Sequence, residues 1–156
     1  MRCFIDSNVI ISAGLFPNSV PAAAMRKAFS AHNTAIVCDY SLDEVHRVIN
    51  KKFPNRVSEL EVFLYRTLFS VELVSTPTDS VEDESGIRDA DDQPILRAAI
   101  SSNADVIITG DKDLLESGVV NPQVITPSQF LNMSDDKPSL QGKFKDMGID
   151  IESGDV

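Results

Sequence analysis

The run Asp105-Val106-Ile107-Ile108-Thr109, followed at once by Gly110-Asp111, constrains the fold more than any other segment. Its unbroken apolar, β-branched character suits a strand covered on both faces, which belongs inside a sheet with helices above and below. Shorter apolar runs repeat the pattern at Cys3 to Ile5, Ala35 to Cys38, Val71 to Val74 and Val124-Ile125. Between them the apolar spacing is helical. A helix is expected near Val9, after the turn-forming Asp6-Ser7-Asn8, and a second over Val20 to Ala31. A third has Ser41 as N-cap, Glu44 three residues on in the capping-box position, and its end before Pro54. Further helices are expected over Val57 to Phe69, Gln93 to Ser102, Asp113 to Glu116 and Pro127 to Met133. Strands alternating with helices throughout imply an α/β fold, a three-layer α/β/α sandwich with a mainly parallel central sheet. In such sheets function sits at the carboxyl ends of the strands.

The 156 residues, 42% of them hydrophobic, suffice for one domain with a substantial core. That domain is expected over residues 1–133, with residues 134–156 an acidic, flexible tail. Thr76 to Asp89 reads as a polar loop whose acids Asp79, Glu82, Asp83 and Glu84 are solvated. The formal charge of −10 excludes a protein that coats nucleic acid through bulk positive charge, so any RNA contact needs a local basic patch or bound metal. Cys3 and Cys38 lie in apolar runs and read as buried, reduced thiols. With no signal peptide and no run of eighteen apolar residues, a soluble cytoplasmic protein is expected, with no membrane contact.

Chemistry is concentrated in where the acids fall. Asp6 closes the first strand, Asp111 follows the Val106 to Thr109 strand, Asp92 opens a helix, and Glu44 lies one turn inside another. Parallel strands bring such ends together. Like charges about 4 Å apart repel by roughly 4 kcal/mol per pair at an effective dielectric near 20, so a cation is needed among them. All-oxygen ligands suit magnesium or manganese, one or two ions. Asp6, Asp92 and Asp111 then read as metal ligands, Glu44 as a ligand of a second ion or a residue orienting water, and Asp89 and Asp113 as outer acids. Taken singly, each Asp suits a helix cap better than a metal site, and Glu44 a capping box; it is the coincidence at strand ends that shifts the balance to the site. His32 and His46 lack partners at metal or triad spacing, and neither Ser7 nor Cys3 has a positioned base for covalent catalysis.

Four segments in order, Phe4-Ile5-Asp6-Ser7-Asn8-Val9, Ser41 to Val48 with Glu44, Arg88-Asp89-Ala90-Asp91-Asp92, and Ile107-Ile108-Thr109-Gly110-Asp111-Lys112-Asp113-Leu114-Leu115, resemble the PIN-domain nucleases. The likeness is greatest to the prokaryotic, VapC-like group described as toxins of toxin–antitoxin pairs, and it spans about residues 1–133. It implies a divalent-metal site, endoribonuclease activity on single-stranded RNA, a homodimer and a small antitoxin partner. The family's acidic tetrad falls on Asp6, Glu44, Asp92 and Asp111, with Asp113 a fifth acid and Ser7, Asn8 and Thr109 in support. Ala90 departs from the pattern, standing where many relatives have Pro.

Arg47 and Lys51 lie three and seven residues beyond Glu44, on its helix face, and are candidates for an RNA groove. Arg26, Lys27 and Arg88 are weaker ones. Two rival readings share the scaffold: a catalytically silent binding protein, and a phosphoryl-transfer domain of the haloacid-dehalogenase or receiver type. The second wants another acid two residues beyond the first or a lone Lys after a later strand, which Asp6-Ser7-Asn8 does not supply well.

Overall fold

The computed structural model describes residues 1–134. The expectation of a flexible acidic tail therefore lies, but for Ser134, outside the described residues. Five strands form one sheet: β1 (Arg2–Ile5), β2 (Thr34–Cys38), β3 (Val71–Val74), β4 (Val106–Ile108) and β5 (Gln123–Ile125), in the order β3-β2-β1-β4-β5. Every neighbouring pair is parallel, with Phe4 opposite Ile36 on one side and Ile107 on the other.

Among the described residues seven α-helices connect and cover the strands: α1 (Ser7–Leu15), α2 (Val20–Ala28), α3 (Asp39–Lys52), α4 (Val57–Leu68), α5 (Gln93–Ser101), α6 (Lys112–Leu115) and α7 (Pro127–Asn132). Alternating side chains of the central strands divide the core in two. Cys3, Ile5, Ala35, Val37, Val106 and Ile108 pack with residues of α1, α2, α3, α4 and α7. Phe4, Ile36 and Ile107 point the other way, against Ile95, Leu96 and Ala99 of α5 and Leu114 of α6. Phe4, Ile36 and Ile107 are fully buried, each stabilising the fold by about 1.5–3 kcal/mol relative to exposure. The expected three-layer α/β/α sandwich is what these residues build.

Local boundaries differ from expectation for identifiable reasons. α2 stops at Ala28 rather than Ala31, because the Asn33 side chain donates to the Lys27 carbonyl at 3.0 Å and turns the chain toward β2. α3 starts at Asp39, with the Cys38 sulfur accepting from the Ser41 amide, so Ser41 is a buried first-turn residue and not the N-cap. Glu44 consequently belongs to the second turn and has no capping box to complete. The Thr76 to Asp89 segment contains a 3-10 turn over Glu82–Gly86, and Glu84, expected to be solvated, is only 4% exposed. Its carboxylate pairs with Arg97 of α5 at 2.8 Å. Cys3 and Cys38 are both buried, as expected. Among the described residues no helix is long and apolar enough to cross a membrane.

Candidate metal centre

The chain runs outward from β1 to β2 to β3, then returns to the other side of β1 for β4 and β5. The carboxyl ends of β1 and β4 therefore flank the point where strand order reverses, the usual place for a crevice in an open parallel sheet. Asp6 stands at one of these ends and Thr109-Gly110-Asp111 at the other. The Asp6 amide extends the ladder by donating to the Ile108 carbonyl at 3.1 Å.

A hydrogen-bonded lattice fixes the two ends to each other. Asp6 Oδ1 accepts from the Ser7 amide at 2.8 Å, and Oδ2 accepts from the Thr109 hydroxyl at 2.7 Å and from Asn8 Nδ2 at 3.0 Å. The Thr109 oxygen accepts from the Asp111 amide at 3.0 Å, while Asn8 Oδ1 accepts from the Gly110 amide at 3.1 Å. Ser7, Asn8 and Thr109 thus orient Asp6 and Asp111 from a nearly solvent-free base: Asp6 is 3% exposed and Thr109 fully buried.

The helix-cap interpretation can be examined acid by acid. Asp6 does cap α1, and Asp111 caps α6 through the Asp113 amide at 2.8 Å. Asp89 accepts from the Asp91 amide at 3.0 Å. Asp92 precedes α5 but makes no capping bond, and its Oδ2 is buried without a hydrogen-bond partner. A buried carboxylate oxygen with nothing to bind is costly, so Asp92 is the acid for which helix capping gives no account.

Electrostatics place the acids around one another. Burial raises the Asp92 carboxyl to about 7, helped by the charges of Asp111, Asp6, Asp89 and Glu44. Burial likewise raises Asp6 to about 6, against the opposing hydrogen bonds from Thr109 and Ser7, with Glu44 and Asp111 pushing it further up. Glu44, from the second turn of α3, is therefore near enough for its charge to act on Asp6 and Asp92. Asp39, at the end of β2, is not available to them. It accepts from Thr76 through both amide and hydroxyl, at 2.9 and 2.6 Å, and these bonds lower its pKa.

Among the described residues, the trio whose carboxylate oxygens come within 4.8 Å of one another is Asp89, Asp92 and Asp113. The donor set is entirely carboxylate and includes the unpartnered Asp92 oxygen, which fits a hard divalent cation. Asp89 and Asp113, placed at the periphery by sequence, thus come within 4.8 Å of Asp92. Arg88 Nη2 lies 3.0 Å from Asp113 Oδ1 and 2.6 Å from a Glu116 oxygen, partly offsetting the negative charge.

Arg47 and Lys51 are exposed on α3 and form no ion pair with a described residue. Tyr40 was not singled out by sequence; its hydroxyl is pushed to higher pKa by burial and by the charges of Asp91, Glu44 and Asp92, with Arg47 opposing. Its position just past the end of β2 was the available signal. His32 and His46 are both exposed, and their side chains join none of these contacts.

Residues 2–113, which span every acid of the cluster, match the sequence model of the family described as PIN domain. The chain belongs to the PIN-domain family. This PIN domain is 28% identical over 143 residues to the uncharacterized protein MJ1680 of Methanocaldococcus jannaschii, with 84% of this chain and 90% of that protein covered. Its fold is similar to a solved structure of VapBC2 from Rickettsia felis bound to a DNA fragment from their promoter. That similarity has a TM-score of 0.63 at 15% identity, covering 81% of this chain and 98% of the other.

Proposed function

We propose that this PIN domain is a divalent-metal-dependent endoribonuclease that hydrolyses phosphodiester bonds of single-stranded RNA. The observation that carries the reading is the buried, unpartnered Asp92 oxygen within a ring of carboxylates at the strand-order reversal. Magnesium or manganese bound there would neutralise phosphate charge and lower the pKa of an attacking water. Asp89, Asp92 and Asp113 hold the ion in this proposal, with Asp6 and Asp111 as direct or water-mediated ligands. Asp6 is kept in place by Thr109, Ser7 and Asn8. Glu44 orients the attacking water and accepts its proton. Arg47 and Lys51 contact the RNA backbone at the mouth.

The family resemblance supports a cytoplasmic toxin that forms a homodimer and is blocked by a small antitoxin. The test is cleavage of labelled single-stranded RNA with manganese, magnesium or EDTA, beside Asp6→Asn, which removes a ligand charge at nearly constant volume. Metal-dependent cleavage that falls at least about a hundredfold in the variant, some 2.7 kcal/mol of transition-state stabilisation, is expected. Full activity in Asp6→Asn would reject the site. Metal binding without cleavage of any RNA would point to a silent binding protein instead.

A further inference from the structure

A cleft of about 410 Å³ opens directly beside Asp111. Asn8, Val9 and Ser12 of α1 form one wall, and Pro21 of α2 and Pro127 of α7 stand across from it. Gly110 and Asp111 join it to the carboxylate cluster. The volume falls in the range of about 300–1,000 Å³ usual for small-molecule sites, and its lining is shared about equally between polar and apolar surface.

The polar groups are unequally committed. Both ends of the Asn8 amide are in use, Oδ1 on the Gly110 amide and Nδ2 on Asp6 and Thr109. The Ser12 hydroxyl bonds to no described residue, although it lines the cleft. Ser12 follows Asn8 by four residues, which puts it on the same face of α1, about 6 Å further from the acids. No Lys or Arg is among the lining residues, and Asp111 adds negative charge where the cleft meets the acids. A phosphate is disfavoured there. A neutral ring system with hydrogen-bonding edges is not.

We propose that this cleft receives one nucleoside of the RNA chain, next to the phosphate that reacts, and that Ser12 is the side chain that recognises it. The proposal rests on the ribonuclease reading and adds a specificity site to it. Val9, Pro21 and Pro127 supply apolar surface for the base, in keeping with recognition of unstacked bases in single strands. The Ser12 hydroxyl, both donor and acceptor, meets a base edge or the ribose 2′-hydroxyl.

The test titrates AMP, CMP, GMP and UMP into isotope-labelled protein with magnesium present, following the Ser12 and Gly110 amides by NMR. Wild-type protein and Ser12→Leu, whose longer side chain enters the cleft, are compared. Saturable shifts at both amides are expected, with at least one nucleotide bound about tenfold more weakly by Ser12→Leu, some 1.4 kcal/mol. The preferred nucleotide's 2′-deoxy form then assigns the contact: weaker binding places it on the ribose, equal binding on the base. Absence of saturable shifts at Ser12, or equal affinity in a Ser12→Leu protein that keeps its dispersed spectrum, overturns the proposal. Binding in the cleft of a protein that cuts no RNA removes the nuclease reading alone. Metal-dependent cleavage with an unchanged KM in Ser12→Leu removes the cleft alone.

Discussion

At Asp92 the folded chain holds a carboxyl whose charged form is opposed both by burial and by Asp111, Asp6, Asp89 and Glu44. Its pKa of about 7, like that of about 6 at Asp6, lies above the value near 3.9 expected of an unfolded Asp. Between these limits the folded state binds more protons than the unfolded one, so metal-free stability falls as pH rises from about 4 to about 7. Thermal melts in EDTA should therefore show a higher melting temperature at pH 5 than at pH 8. Asp92→Asn should flatten that profile and raise the metal-free melting temperature at pH 8. A gain of about 1 kcal/mol corresponds to roughly 2–4 °C for a chain of this size. An unchanged profile would show that Asp92 is not under this electrostatic load. That Asp6, Glu44, Asp92 and Asp111 fall at strand ends and helix starts was legible in sequence, and in the fold their charges act on one another. The grouping of Asp89, Asp92 and Asp113 within 4.8 Å was not legible, since it depends on the path of the segment before α5.

Residues 76–92 show how an element is positioned by one pair of charges. Glu84, 4% exposed, accepts from Arg97 Nε at 2.8 Å and from the Val81 amide, while Arg97 Nη1 donates to the Pro77 and Thr78 carbonyls at 3.2 and 3.3 Å. Ile87, 3% exposed, joins the core on the same side. These contacts hold the segment against α5 just before it delivers Asp89 and Asp92. Arg97→Met should cost about 3–5 kcal/mol by stranding the Glu84 charge, and the double variant Glu84→Leu/Arg97→Met should recover much of that loss. Hydrogen exchange across 76–92 should quicken in the single variant, and manganese titration should show weaker binding. Unchanged exchange there would assign the pair a local role only. Sequence made Glu84 look solvated because its neighbours are acidic and polar. Its partner lies thirteen residues on in another element, and only the fold-back of the loop brings the two together.

For the whole molecule, the carboxylate cluster is assembled only in the folded state, so binding of a cation there would be coupled to stability. Manganese at about one hundred times its dissociation constant should add about 2.7 kcal/mol to stability, a rise of roughly 5–11 °C in melting temperature. EDTA should reverse the rise, and Asp92→Asn should abolish it; an equal rise in that variant would place the ion elsewhere. The sequence alone determined the alternation of strands and helices, the double-sided burial of β4 and the placing of acids at strand ends. Those features follow from local hydrophobic period and chain order, and they specify a parallel sandwich with an acidic edge. Tertiary structure decided the sheet order β3-β2-β1-β4-β5, the start of α3 at Asp39 and the burial of Glu84. It also decided which carboxylates approach one another and which oxygen lacks a partner. Each of these depends on contacts between residues distant in the chain, where packing and desolvation in three dimensions outweigh local preference.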